Sequence, residues 1–299
     1  MRLRNQSFLI GSIFLLLMVL GTCTSLASQW GYVDKTGAPV IAPAYSYARG
    51  FSDGLAAVLV GDKWGYINRA GDFAISPQYV AVWDFSGGLA AVSHGENWGF
   101  IDLSGQTVIV PYLDYAFSFF EGLAHAVLDG QSGYIDRSGG LALVPETEGI
   151  SDFAEGFAPA QQGGLWGYID KTGEWVIEPQ FEETWGFKEG LARVMVDGLW
   201  GYIDRNGEMI ITPQFEDARN FSEGLARVQI NGRMGYIDRT GKFVIGPQYT
   251  NAASFSEGLA GVEIRGKWGY INKYGEMVIA PQFLQHGYFT EGMAPVEMK

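Results

Sequence analysis

Side-chain chemistry needs a nucleophile, a proton carrier or a metal ligand, and this chain offers few of them. His94, His125 and His286 are its three histidines, and Cys23 is its one cysteine. Zinc sites and nucleophile–base pairs draw on these residue types at short or facing spacings. The three histidines sit at different positions of the repeat set out below, so no ring of imidazoles is expected. Each reads as a solvated loop or strand residue. No G-x-S-x-G elbow, H-E-x-x-H helix, phosphate-cradling glycine loop or EF-hand pattern occurs. Neither a metal nor a cofactor is expected. Carboxylates abound, but they recur in columns, and an acid/base pair needs two groups in unlike surroundings. No catalytic residue is assigned, and the chain reads as a non-enzyme.

The elements that position these residues come from one motif written eight times. Trp-Gly occurs at Trp30, Trp64, Trp98, Trp166, Trp200 and Trp268, at separations of 34 residues or multiples of 34. The two absent members stand as Ser132-Gly133 and Met234-Gly235. Proline recurs from Pro43 to Pro281, phenylalanine from Phe51 to Phe289, and glycine from Gly54 to Gly292, all at the same period. A constant period of this size marks a repeat architecture. No insertion, linker or second domain interrupts residues 28–299.

The unit from Gly190 to Glu223 shows its physical content. Leu191 to Val196 is rich in strand formers, and Asp197-Gly198 is a pair suited to a two-residue hairpin. Trp200 to Ile203 makes a second strand. Asp204-Arg205-Asn206-Gly207 has the acid-first, glycine-fourth pattern of a type I turn. Met209 to Ile211 makes a third strand, which Pro213 is expected to end. Gln214 to Glu223 then connects to the next unit. The predicted fold class is all-β: eight 34-residue, three-stranded β-meander repeats.

Trp-Gly-Tyr-Ile-Asp-x-x-Gly, then Val-Ile-x-Pro-Gln-Phe, then Phe-x-Glu-Gly-Leu-Ala, resembles the bacterial WG (KWG) repeat family. The resemblance covers residues 28–299. The fourth repeat departs most, with Ser132 in place of tryptophan and Pro145-Glu146-Thr147 in place of proline-glutamine-aromatic. The resemblance implies a β-rich repeat scaffold in a bacterial protein and brings no reaction, cofactor or catalytic residue with it.

Ring or rod is argued from the ends. The first unit begins at its second strand, Trp30 to Val33, and the chain finishes on the missing strand, Gly292 to Glu297. A closed propeller-like ring lets that last strand complete the first unit, and neither end resembles the atypical cap that a solenoid needs. A 34-residue unit is nevertheless short beside propeller blades of about 40–45 residues. A closed ring is favoured, with an open β-solenoid as the alternative.

Residues 1–27 read as a signal peptide: Arg2 and Arg4, an apolar run from Phe8 to Leu20, then Ser25-Leu26-Ala27 at the cleavage site. Such a run is short of the ~20 residues of a spanning helix. A lipid anchor at Cys23 is the second reading, since Leu20-Gly21-Thr22-Cys23 resembles a lipobox with a poorly fitting threonine. Export to the periplasm, cell surface or medium follows, with no transmembrane span in the mature chain. Hydrophobic residues at 47% and charged residues at 18% give ample core and rule out intrinsic disorder. The net charge is −13, and removing Arg2 and Arg4 makes it −15. That balance argues against nucleic acid, and against anionic polymers generally.

Two acidic columns are expected to be structural. Asp53 and Glu121, Glu155, Glu189, Glu223, Glu257 and Glu291 precede the recurring glycine and are expected to accept N–H bonds in their own turns. Asp34 to Asn272, acid or amide in every copy, is expected to form local Asx turns. The binding surface is sought where the repeat varies on its connection: Tyr47, Arg49, Trp83, Tyr115, Phe117, Trp185 and Arg219. Aromatic and arginine side chains are common interaction anchors. The chain reads as an exported binding or scaffold protein of the bacterial envelope, its partner a protein or a glycan. The alternative is a glycan-processing hydrolase with carboxylates near the ring axis.

Overall fold

A computed structural model describes residues 28–299. The expected signal peptide, 1–27, and Cys23 lie outside the described residues. The structure is an eight-bladed β-propeller, each blade a four-stranded antiparallel sheet. Blades 1 to 7 comprise residues 47–79, 81–113, 115–143, 149–181, 183–215, 217–249 and 251–283. Blade 8 joins Gln285–His286 and Met293–Met298 to Gln29–Asp34 and Pro39–Tyr45. Its two middle strands pair over six residues, from Gln29 with Met298 to Asp34 with Met293. The ring therefore closes as the chain ends suggested, and the open solenoid is set aside.

Each blade has one strand more than the three-stranded meander expected. The connection contributes a short first strand, Glu183–Thr184 in blade 5, paired with Val194 and Met195. This strand lies innermost, where side chains of successive blades reach each other's backbone. Ser52, Ser86 and Ser256 donate to the carbonyls of Phe85, Phe119 and Phe289 in the following blade. Thrift in the turns explains the 34-residue blade. The inner strands of blades 2 and 4 to 8 are two residues long, and the hairpins that follow them close in two. Glu291-Gly292, both at positive φ, is one such turn, held by reciprocal bonds between Thr290 and Met293. Asp197-Gly198 forms the expected hairpin in the same way.

The outermost strand also differs from expectation. In blade 5 it runs Met209–Phe215, straight through Pro213. Trp200 pairs with Phe215 and Tyr202 with Ile211, so a bulge absorbs the proline on an edge strand where no further ladder needs its N–H. The bulge folds back over the Trp-Gly glycine. A Cβ on Gly201 would lie 2.5 Å from the Ile211 carbonyl oxygen and 2.8 Å from the Pro213 nitrogen. That close approach is why glycine holds this place in every unit, after serine at Gly133 and methionine at Gly235 as well as after tryptophan. The divergent fourth repeat falls at the end of blade 3, where the outer strand shrinks to Leu141–Leu143.

Candidate functional site

Tyrosine fixes the inner strands from one blade to the next. Tyr32, Tyr66, Tyr134, Tyr168, Tyr202, Tyr236 and Tyr270 are fully buried. Their hydroxyls donate to the carbonyls of Arg49, Trp83, Ser151, Trp185, Arg219, Ala253 and Gly287, each in the following blade. Phe100 holds the eighth place and has no hydroxyl to give. Each ring also packs on the recurring phenylalanine of the next blade, as Tyr66 does on Phe85 at 4.7 Å and Phe100 on Phe119 at 4.8 Å. The accepting carbonyls belong to the very column whose side chains vary. Its backbone is clamped by a constant partner, so the side chain is free to change without disturbing the frame.

Five of the seven expected residues meet in one cluster over blades 1 to 3. The Arg49 guanidinium lies between Trp64 and Trp83, 5.3 and 5.2 Å from their ring centroids. Trp83 stacks on Phe117 at 5.7 Å, and Phe117 stacks on His125 at 4.8 Å. Tyr115 packs between Phe117 and Trp98, and Tyr47 between Trp30 and Trp64. The remaining two, Trp185 and Arg219, lie across the ring in blades 5 and 6. There the buried Arg193 guanidinium sits 4.5 Å from the Trp185 ring and 4.9 Å from Trp200. Arg227, equally buried, pairs with Asp217.

His125, Arg193 and Arg227 escaped the sequence reading, although a signal was there. They share one column of the second strand, which reads Ala57, Ala91, His125, Pro159, Arg193, Arg227, Gly261 and Pro295. It varies among constant neighbours as the inner-strand columns do. Two histidines also depart from expectation. His125 and His286 are packed strand residues, and burial lowers both imidazoles to about 4. His286 lies 3.8 Å from the Trp268 ring. His94 is exposed, beside Tyr79. Asp84 and Asp152 follow the variable column directly, and each has one buried oxygen without a hydrogen-bond partner, that of Asp84 lying 3.9 Å from the Arg49 guanidinium. Burial raises Asp84 against the opposing charge of Arg49, and raises Asp152 to about 6. Among the described residues no three His, Cys, Asp or Glu side chains gather as a metal site.

The acidic columns are structural, but one works differently from expectation. The recurring glutamates reach into the next blade instead of their own turn. Glu155 accepts from the Gly190 N–H, Glu189 from Gly224, Glu257 from Gly292, and Glu291 from Gly54, which carries the belt across the closure. Basic residues of the next blade join them: Lys171 on Glu121, Lys273 on Glu223, Lys35 on Glu257 and Arg69 on Glu291. Partial burial pushes Glu121 and Glu257 up, but Lys171, Lys35 and the glycine N–H bonds outweigh it and hold both below the usual range. The column from Asp34 to Asn272 forms the local turns expected. Asp204 Oδ1, for one, accepts from the N–H groups of Asn206 and Glu208, both at 2.9 Å.

The family model for the WG containing repeat matches residues 30–64, 64–98, 98–131, 133–166, 166–200, 200–233, 234–268 and 268–299. The chain belongs to the WG containing repeat family. Curated proteins offer no match to this WG-repeat chain. Among solved structures, a eukaryotic initiation factor has a similar fold: TM-score 0.51, 12% identity, over 84% of this chain and 94% of that one. PorZ, a surface component of the type-IX secretion system of Porphyromonas gingivalis, superposes with TM-score 0.47 and 10% identity, over 83% of this chain and 40% of its own. The extracellular domain of BT4673 from B. thetaiotaomicron gives TM-score 0.47 and 11% identity, over 86% and 43%. The WG-repeat ring spans less than half the length of either. No helix among its described residues is long and apolar enough to cross a membrane.

Proposed function

We propose that this WG-repeat propeller is an exported, non-enzymatic binding or scaffold protein of the bacterial envelope, and that its partner is a protein or a glycan. One observation carries the reading: side chains that differ from blade to blade hang from inner strands whose backbone a tyrosine clamps in seven of the eight blades. Trp83, Phe117 and Arg49 present flat rings and a planar cation in one run, and Trp185 and Tyr47 are about half exposed. Rigid aromatic surface suits both a protein interface and the apolar face of a sugar. Function in repeat scaffolds sits where positions vary on a fixed frame, as here. Export rests on the basic and apolar character of residues 1–27, with lipidation at Cys23 as the second form of processing.

The test is the double variant Trp83→Ala with Trp185→Ala, compared with the parent chain on a glycan array and against envelope proteins of the source bacterium. A bound glycan or protein that the double variant no longer holds, with its circular dichroism unchanged, supports the reading. Undiminished binding overturns the choice of residues. A hydrolase is the second reading, favoured by Asp152, whose raised pKa suits a general acid. It requires glycan cleavage by the parent chain and its loss in Asp152→Asn.

A further inference from the structure

Where blades 5 to 7 meet lies an open depression of about 280 Å³, lined by Lys188, Arg193, Arg219, Asn220, Phe221, Ser222 and Ser254. Three of these seven side chains are cations, in a chain whose net charge is −13. No carboxylate lines the depression, and among the described residues none of the three forms an ion pair. Their neighbours in the same columns show how local this is. Lys188 stands where Ser52, Ser86, Ser222, Ser256 and Thr290 stand in other blades. Arg227, the counterpart of Arg193 one blade on, has Asp217 as its partner. Arg193 has only a carbonyl, that of Ala218, and its buried Nε has no partner at all.

We propose that this depression binds a carboxylate of the partner, an acidic side chain or chain end of a protein, with Lys188 and Arg219 making the contacts and Arg193 supplying fixed positive charge beneath them. Lys188 and Arg219 are exposed and can close on a ligand, whereas Arg193 is 4% exposed and stays clamped between two tryptophans. A buried guanidinium without a direct ion-pair partner is unfavourable, Asp217 acting on it only from a distance, and an arriving anion relieves it. Burial and the nearby Arg219 charge lower Arg193 to about 10, which still leaves it protonated at neutral pH. The hydroxyls of Ser222 and Ser254 offer neutral donors to the same anion, whereas the Asn220 amide already donates to the Gly186 carbonyl. A planar, two-oxygen acceptor matches the guanidinium fork of Arg219. The surrounding negative surface repels extended polyanions, so selectivity falls on a single acidic group entering a small cationic well.

This site rests on the binding reading above and names the chemistry of one contact. Its test needs no natural partner: succinate is titrated calorimetrically into the full chain at low salt, with uncharged succinamide as the control. Saturable binding of succinate alone is expected, weakened at least about tenfold in Lys188→Gln with Arg219→Gln. The variant Arg233→Gln with Lys242→Gln, exposed residues outside the depression, removes the same charge and should bind as the parent does. No saturation by about 50 mM, where a millimolar site is filled, overturns the proposal. So does equal weakening in both double variants, or equal affinity for inorganic sulfate. Because the probe is succinate, failure here leaves the Trp83 and Trp185 test standing, and failure there leaves this one.

Discussion

Removing a single hydroxyl from the tyrosine column should cost about 2 kcal/mol. Tyr202 is fully buried, and its hydroxyl donates to the Arg219 carbonyl at 2.7 Å. In Tyr202→Phe the ring remains, and with it the edge contact to Phe221 at 4.9 Å. The variant loses one hydrogen bond, worth a net ~0.5–1.5 kcal/mol, and strands a buried acceptor, at ~1–3 kcal/mol. These ranges overlap in what they count, so the middle value of about 2 kcal/mol is the expectation. At ~2.1 cal/mol/K per residue, a ring of about 270 residues unfolds with an entropy near ~0.57 kcal/mol/K, and the midpoint should fall by ~3.5 °C. Scanning calorimetry and urea unfolding read both numbers, provided the closed ring melts as one unit. Tyr236→Phe, which frees the Ala253 carbonyl from a 2.7 Å bond, should match it. Tyr274→Phe is the control, since Tyr274 is 85% exposed. Phe100→Tyr runs the experiment backwards, offering the Phe117 carbonyl the donor that blade 2 lacks, for a gain of about 1 kcal/mol. If Tyr202→Phe and Tyr236→Phe are indistinguishable from Tyr274→Phe, the tyrosines fill space between blades without fastening them.

The glutamate belt and the buried imidazoles give two further predictions. Gly87 stands where the other seven blades have an acid, at φ 60°, close to the 52° of Asp53 and Glu121, and a Cβ there would lie 3.2 Å from an Arg137 nitrogen. Gly87→Glu should therefore accept the Gly122 N–H and pair with Arg137, and be about 1–2 kcal/mol more stable than Gly87→Ala, which meets the same backbone strain without either bond; equal stability in urea would refute the belt. His125 and His286 fall to about 4 in the fold against about 6.5 unfolded, so the unfolded chain binds more protons between those values. Stability is full above pH 6.5 and is lost as the pH falls toward 4, on the order of 2 kcal/mol per histidine by pH 4.5. In His125→Ala with His286→Ala the slope of stability against pH over that window should flatten, and an unchanged slope would show that neither imidazole is desolvated.

The period, the order of the three longer strands and the closure of the ring were legible because each rests on a residue type that recurs for one local reason. Trp-Gly marks the strand under the bulge, Asp-x-x-Gly marks its turn, and the strand missing from the start reappears at the end. The inner strand was not legible. Glu183–Thr184 is too short to show alternation, and its pairing with Met195 and Val194 depends on those residues lying beside it. Pro213 misled for a related reason: proline excludes a residue from the middle of a sheet but is tolerated at a bulged edge. The glutamates bond 35 residues ahead, one repeat and one residue, which is visible as a spacing only once the next blade is known to lie alongside. Five of the seven aromatic and arginine residues chosen from the connection come together over blades 1 to 3, and Trp185 and Arg219 lie apart in blades 5 and 6. His125 and Arg193, on the adjacent strand, complete those clusters and were not chosen.

Eightfold repetition and a one-sided function are at odds, and the tyrosine column shows how one chain accommodates both. The contacts that recur around the ring run through a backbone group and a repeated side chain: tyrosine to carbonyl and glutamate to glycine N–H between blades. These recurring contacts leave aside the side chain of the residue after the buried small position of the inner strand, whose contacts between blades are particular to one place, as in the run from Arg49 through Trp83 to Phe117. That position has drifted into an aromatic run with Arg49 on one side of the axis and a cationic well at Arg219 on the other. The same logic fixes where drift is harmful. At Gly261 a Cβ would lie 2.5 Å from the His286 ring, so the second-strand column can vary only where its neighbour on the inner strand leaves room. Blade 8 has filled that space with His286 against Trp268 of blade 7, whereas between blades 5 and 6 the corresponding pair is Arg193 and Ala218, whose carbonyl accepts from the guanidinium. Gly261→Arg together with His286→Ala, which copies the Arg193–Ala218 pair, should transplant the buried cation into blade 7, whereas Gly261→Arg alone should not fold. A folded single variant would mean that the two columns are not coupled, and that the frame constrains the axis less than its hydrogen bonds imply.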